Sequence, residues 1–160
     1  MMNEIKIAVT VNSTKINANV KPELSLLRFL RSQGIYDVKC GCEMGDCGTC
    51  TVILNGQAVK SCITLAAQAD GGTVWTIKGL GVIDEITKKL QEAFVEHGAI
   101  QCGFCTPGMI VAGKAYIDQG GIPDRTEIKK AVSGNICRCT GYKKIVDAIF
   151  DVAEQMKKKG

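Results

Sequence analysis

Apolar and polar residues alternate over 4–11 (EIKIAVTV) and again over 14–20 (TKINANV), the period of two that half-buried strands carry. The pair predicts a hairpin joined at Asn12 and Ser13, and Pro22 ends the pairing. From Ser25 the spacing lengthens. Leu26, Leu27, Phe29 and Leu30 then share mainly one helical face, with Ser25 as N-cap and Gly34 as the stop, so this face predicts core packing. Further on, TVIL and QAVK flank Asn55-Gly56, a strong short-range hairpin signal, and a strand TVWTI follows Gly71-Gly72. Together these segments predict a small mixed sheet crossed by one helix.

Near Gly79 to Val82 the period changes from two to 3.6, which predicts a linker there and a division into residues 1–80 and 81–160. The second part reads as helical. Asp84 caps DEITKKLQEAFVEHG, where Ile86, Leu90 and Phe94 recur at i, i+4 and i+8 and Gly98 fits the position after the last turn. Thr106-Pro107 open a second helix through Asp118, Pro123-Asp124 a third, and Thr140-Gly141 a fourth that carries Ile145, Val146, Ile149, Phe150 and Val152. Four such helices predict a compact bundle, so the fold class is α+β.

Each half is small. A domain of roughly 80 residues is marginal on apolar burial alone, and a metal group in each would act as a structural staple. Aromatic residues make up 5% of the chain, which leaves no stacking platform for single-stranded nucleic acid. No signal peptide is legible in MMNEIKIAVTVN and no apolar run is long enough to cross a membrane, so a cytoplasmic protein is expected. In a reducing compartment nine cysteines argue for metal over disulfides. The formal charge of +4 counts every thiol as neutral, and metal-bound thiolates would bring it toward zero. Lys157, Lys158 and Lys159 form the basic run, read as a frayed, solvated terminus.

The cysteines carry the chemistry. Cys42, Cys47 and Cys50 stand at the C-x4-C-x2-C spacing of plant-type [2Fe–2S] sites, and the Asn55-Gly56 turn returns Cys62 as a fourth thiolate. Gly41, Gly45 and Gly48 let the backbone curl with φ > 0 and turn N–H groups inward on the sulfurs. Cys40 would give the wrong spacing and is left outside as a small, partly buried thiol. A second set, Cys102, Cys105, Cys137 and Cys139, lies at helix starts, where the positive end of the dipole favours thiolate. Taken alone that set would also accept tetrahedral zinc. His97, beside Gly98 at a helix end, reads as a dipole contact, and no nucleophile–base pair or phosphate loop stands out.

GCEMGDCGTCTVILNG…SC, QCGFCTPGMI and NICRCTGY, in this order and over nearly the whole chain, resemble the small iron–sulfur subunit of the xanthine dehydrogenase family of molybdenum hydroxylases. The resemblance implies a β-grasp, plant-ferredoxin-like domain followed by a four-helix bundle, each with one [2Fe–2S] cluster. It implies that Cys102, Cys105, Cys137 and Cys139 hold the cluster beside the molybdopterin of a large subunit. Cys42, Cys47, Cys50 and Cys62 would then hold the cluster that serves an FAD-binding medium subunit. Gln101 matches a glutamine that hydrogen-bonds the pterin, and Cys139 the ligand touching its amino group. The chain stops after the bundle, so flavin and molybdenum parts are expected on separate chains, with an N-heterocycle such as nicotinate or a purine as substrate. Cys40 departs from the family pattern, where a non-cysteine residue is usual. Other classes remain open on the residues alone: a free-standing two-cluster ferredoxin, or a zinc-stabilised binding module.

Overall fold

Strand β1, Ile5–Val11, sends Ile7, Val9 and Val11 into the core, as its alternation requires. It pairs antiparallel with β2, Thr14–Val20, through a turn in which Asn12 and Ser13 both take positive φ, at 48° and 70°. The computed structural model describes residues 4–158. Helix α1, Leu26–Ser32, starts where Ser25 Oγ accepts from the Arg28 N–H at 3.2 Å, and it buries Leu26, Leu27, Phe29 and Leu30 against the sheet. Strands β3, Thr51–Leu54, and β4, Gln57–Lys60, close around Asn55 and Gly56, and β5, Thr73–Trp75, completes a five-stranded sheet of order β2-β1-β5-β3-β4. β5 runs parallel to β1 and antiparallel to β3. A 3₁₀ turn at Ala66–Ala69, not marked by the sequence pattern, inserts two buried alanines beneath α1.

The expected linker is instead a helix. Residues Ile77–Ile83 form α2, which buries Leu80, and Gly79 lies where a Cβ would run into the Asn12 side chain. Asn12 holds this junction from both ends of its amide: Oδ1 accepts from the Thr76 N–H at 2.9 Å and Nδ2 donates to Thr76 Oγ1 at 2.8 Å. The glycines therefore serve close packing, and the change of period marks a helix start.

Helix α3, Glu85–Glu96, is capped by Asp84, whose Oδ1 accepts from the Thr87 N–H at 2.7 Å. α4, Thr106–Asp118, has Pro107 in its first turn; α5, Arg125–Ala131, is capped by Asp124. α6 spans Lys143–Lys157, so residues 140–142 stay in the preceding loop and do not open the helix as expected. Its C-terminal turn is ordered helix, with Lys158 Nζ 3.4 Å from Glu154; Lys159, part of the expected basic tail, lies outside the described residues. Leu90, Phe94, Met109, Ile128, Ile145 and Ile149 form the helical core. His97 ends α3 with Nε2 2.7 Å from Asp151 Oδ2, so a carboxylate and not the helix dipole alone holds it.

Sheet and helices share packing. Ile53 of β3 joins Leu80, Val111 and Ala115 in a small buried cluster, and Lys114, buried on α4, pairs with Asp84 and Asp118. A close backbone approach lies at Gly108, where a Cβ would strike the Gly48 carbonyl oxygen. Gly108→Ala is expected to cost about 1–3 kcal/mol through overpacking. Gly134→Ala, which meets only the flexible end of Lys60, should cost less. Thermal unfolding of both variants against the parent checks the order.

Candidate metal centres

The loop between α1 and β3 carries the first thiols. Its curl is tight because Gly45 and Gly48 take φ of +86° and +67°, and Glu43 adopts +56° without glycine's freedom. Gly41 serves differently from expectation: its φ is not positive, but a Cβ there would sit 2.8 Å from Cys47 Sγ. The curl turns peptide donors onto sulfur. Cys42 N–H donates to Cys47 Sγ, while Met44 and Cys47 N–H both donate to Cys42 Sγ, all at 3.4 Å. Those backbone donors, Cys47 first and then Met44, pull the Cys42 thiol down to about 6. Cys62 returns beside Cys50, and burial together with the neighbouring Cys50 thiol pushes it up to about 11.

The second thiols gather at the mouth of the helical part. Cys102 and Cys105 precede α4, and Cys137 and Cys139 precede α6. Cys139 Sγ lies 3.7 Å from Cys102 Sγ, and this contact raises the Cys139 thiol. Cys105 meets Cys137; burial, then that neighbour, pushes Cys105 up to about 12. Burial also works against a Cys137 thiolate, but donors from Thr140 outweigh it and hold this thiol below its ordinary value. Cys105 and Cys137 are buried, whereas Cys102, Cys139 and Gln101 are exposed.

No three Cys, His, Asp or Glu side chains among the described residues converge closely enough for a single ion. The thiols meet in pairs: Cys42 with Cys47, Cys50 with Cys62, Cys102 with Cys139, Cys105 with Cys137. Four thiols in each set are the donor set that a dinuclear iron–sulfur cluster takes. Inward N–H donors and the glycine-lined cradle also fit an anionic [2Fe–2S] group in each set.

Cys40 is held away from the first set. Its thiol donates to Glu43 Oε1 at 2.9 Å, and Arg28 grips the same carboxylate with Nε at 2.7 Å and Nη2 at 2.6 Å. The Glu43 hydrogen bond, aided by burial, raises the Cys40 thiol.

Several residues here escaped sequence reasoning. Asn135, buried, donates through Nδ2 to the Gly48 carbonyl at 2.9 Å, and the Ile136 N–H donates to the Cys47 carbonyl at 2.9 Å. These bonds tie the two cysteine loops together. Thr49 Oγ1 lies 3.3 Å from Cys47 Sγ, and Thr140 Oγ1 donates to Cys137 Sγ at 3.1 Å. The nearness of both threonines to cysteines was visible as sequence, and their hydroxyls could have been flagged as donors; Asn135 gave no local signal.

Comparison with known proteins places each half of the chain in a [2Fe–2S]-binding family. Residues 9–74 match the model of a 2Fe-2S iron-sulfur cluster binding domain, and residues 76–150 that of a [2Fe-2S] binding domain. The chain is 46% identical to the nicotinate dehydrogenase small FeS subunit of Eubacterium barkeri, over 96% of this chain and 98% of the relative. It is 40% identical to the xanthine dehydrogenase iron-sulfur-binding subunit of Escherichia coli O157:H7, over 92% and 93% respectively. Its structure superposes on a chain of quinoline 2-oxidoreductase from Pseudomonas putida 86 with a TM-score of 0.87 at 40% identity, covering 97% of each.

Two outcomes are expected. In the metal-free chain Cys42 should alkylate with a midpoint near pH 6, because its thiolate persists above that pH, while Cys62 should stay unreactive until about pH 11. Peptide mass spectrometry after timed iodoacetamide labelling reads both. Cys40→Ser should leave iron and sulfide content unchanged, whereas Cys42→Ser should cost one cluster, measured by metal and acid-labile sulfide assay.

Proposed function

The chain belongs to the small iron–sulfur subunits of the xanthine dehydrogenase family of molybdenum hydroxylases, and from that premise we propose how its two halves divide an electron-relay task. Residues 1–80, a β-grasp, plant-ferredoxin-like unit in this reading, hold one [2Fe–2S] group on Cys42, Cys47, Cys50 and Cys62. Residues 81–160, a four-helix bundle, hold the other on Cys102, Cys105, Cys137 and Cys139. A bound [2Fe–2S] group supplies reversible one-electron exchange. The chain's own residues space the sulfurs, shield Cys50, Cys105 and Cys137 from water, and direct N–H and O–H donors at the ligands.

The observation that carries the partner reading is the exposure of Cys102, Cys139 and Gln101. Around them Ile100, Phe104 and Ile136 are 38%, 46% and 51% exposed, an apolar rim that suits an interface. In this reading a molybdopterin-binding large subunit covers that rim, with Gln101 hydrogen-bonding the pterin and Cys139 facing its amino group. The FAD-binding medium subunit receives electrons at the first loop, where Met44 and Ile63 are 70% and 63% exposed. The whole enzyme hydroxylates an N-heterocycle, such as nicotinate or a purine, in a pocket on the large subunit; the nicotinate and xanthine dehydrogenase relatives support that choice. Among the described residues no helix is long and apolar enough to cross a membrane, and a reducing cytoplasm suits nine free thiols.

Anaerobically purified protein should contain about four irons and four sulfides per chain and show two S = 1/2 signals on reduction. Zinc without sulfide, once cluster loss in handling is excluded, would return the chain to a binding module. Ile136→Asp should keep the iron while reducing the co-purifying large subunit roughly tenfold, as loss of an interface anchor does. Full cluster content with no co-purifying subunit in the parent would favour a free-standing ferredoxin.

A further inference from the structure

Between Cys137 and the start of α6 the chain doubles back on itself, and Tyr142 takes φ of 66° to do so. The fold-back is closed at both ends. The Cys137 N–H donates to Tyr142 Oη at 2.9 Å, and the Tyr142 N–H donates to Thr140 Oγ1 at 3.3 Å. With its oxygen accepting from Tyr142, the Thr140 hydroxyl turns its own proton to Cys137 Sγ at 3.1 Å. The Thr140 N–H approaches the same sulfur at 3.5 Å. Cys137 is 7% exposed, so water offers little competition for these bonds. Among the described residues this is the one hydroxyl donated to a sulfur of the second set.

We propose that Thr140 is a positioning residue that acts through the Cys137 sulfur: its hydroxyl raises the reduction potential of the second-set [2Fe–2S] group and favours residence of the electron there. The inference rests on the assignment of Cys137 as an iron ligand. On reduction the group gains one electron and one unit of negative charge, with no covalent bond made or broken and no proton taken up. A hydrogen bond to a thiolate strengthens as charge accumulates on sulfur, so the donor stabilises the reduced form more than the oxidised one. Tyr142 contributes by fixing the orientation of that donor, which a freely rotating hydroxyl would lack.

The test is an EPR-monitored titration with a chemical reductant, performed on the chain purified anaerobically with whatever subunits accompany it. Thr140→Val keeps the shape and removes the donor, Thr140→Ala removes both, and Thr140→Ser restores the hydroxyl. Val and Ala should each lower the reduction equilibrium constant of the second-set signal about tenfold, which is about 59 mV for one electron. Ser should titrate with the parent. The first-set signal serves as internal reference and should not move. Unshifted Val and Ala signals would overturn the proposal, as would a Ser variant shifted as far as Val, which would assign the effect to packing. A parent protein without two such signals would instead overturn the cluster reading itself, so the two failures are distinct.

Discussion

Four thiols gathered into one small space oppose one another's ionisation, and the structure meets that constraint by turning peptide N–H groups and hydroxyls toward some of the sulfurs. A backbone that does so cannot also satisfy a helix or sheet ladder, so both cysteine loops are irregular and must be supported from outside. The sheet with α1 supports the first loop, and the starts of α4 and α6 support the second. The depressed thiols are those with such donors: Cys42 beneath the Cys47 and Met44 N–H groups, Cys137 beneath Thr140. Cys62 and Cys105, where burial and the neighbouring thiol outweigh the backbone donors, move the other way. Within each set one thiol is therefore held below its ordinary value while another is held above it.

The two loops are also one junction. Asn135 and Ile136 donate to the carbonyls of Gly48 and Cys47, so a residue next to Cys137 is bonded to a residue of the first set. Gly108 at the start of α4 allows the Gly48 carbonyl to approach, and Lys114 further along the same helix is buried between Asp84 and Asp118. A buried cation with two carboxylates is a costly arrangement unless its geometry is kept. Here it ties α4 to the entry of α3 while β3 packs against Val111 and Ala115. The spacing between the two thiol sets is thus held by hydrogen bonds, an ion triad and apolar packing together.

Exposure is graded within each set. Cys50, Cys105 and Cys137 are buried, the remaining first-set thiols are half-buried, and Cys102 and Cys139 are exposed. Apolar side chains stand exposed beside both sets, Ile100, Phe104 and Ile136 near the second and Met44 and Ile63 near the first. A relay subunit needs buried centres for low solvent reorganisation and open edges for its partners, and this gradation serves both.

Much of this was legible in the chain. The alternation of β1 and β2, the Asn55-Gly56 turn, the caps at Ser25, Asp84 and Asp124, and the spacing of the cysteines are local patterns, each written in neighbouring residues because the physics behind it is local. The thiol sets were named from that spacing, and the structure brings the thiols of each set together as pairs. Residues 79–82 misled as a linker because glycine signals freedom in sequence, whereas its use here is to let Asn12 approach α2. The late start of α6 was hidden for a similar reason: Thr140 and Tyr142 are occupied by hydrogen bonds to Cys137 and to each other. Asn135, the Arg28–Glu43 grip on Cys40 and the Lys114 triad join residues from separate elements, and only tertiary packing decided them. Such contacts depend on which surfaces meet after folding, and no periodicity along the chain records that.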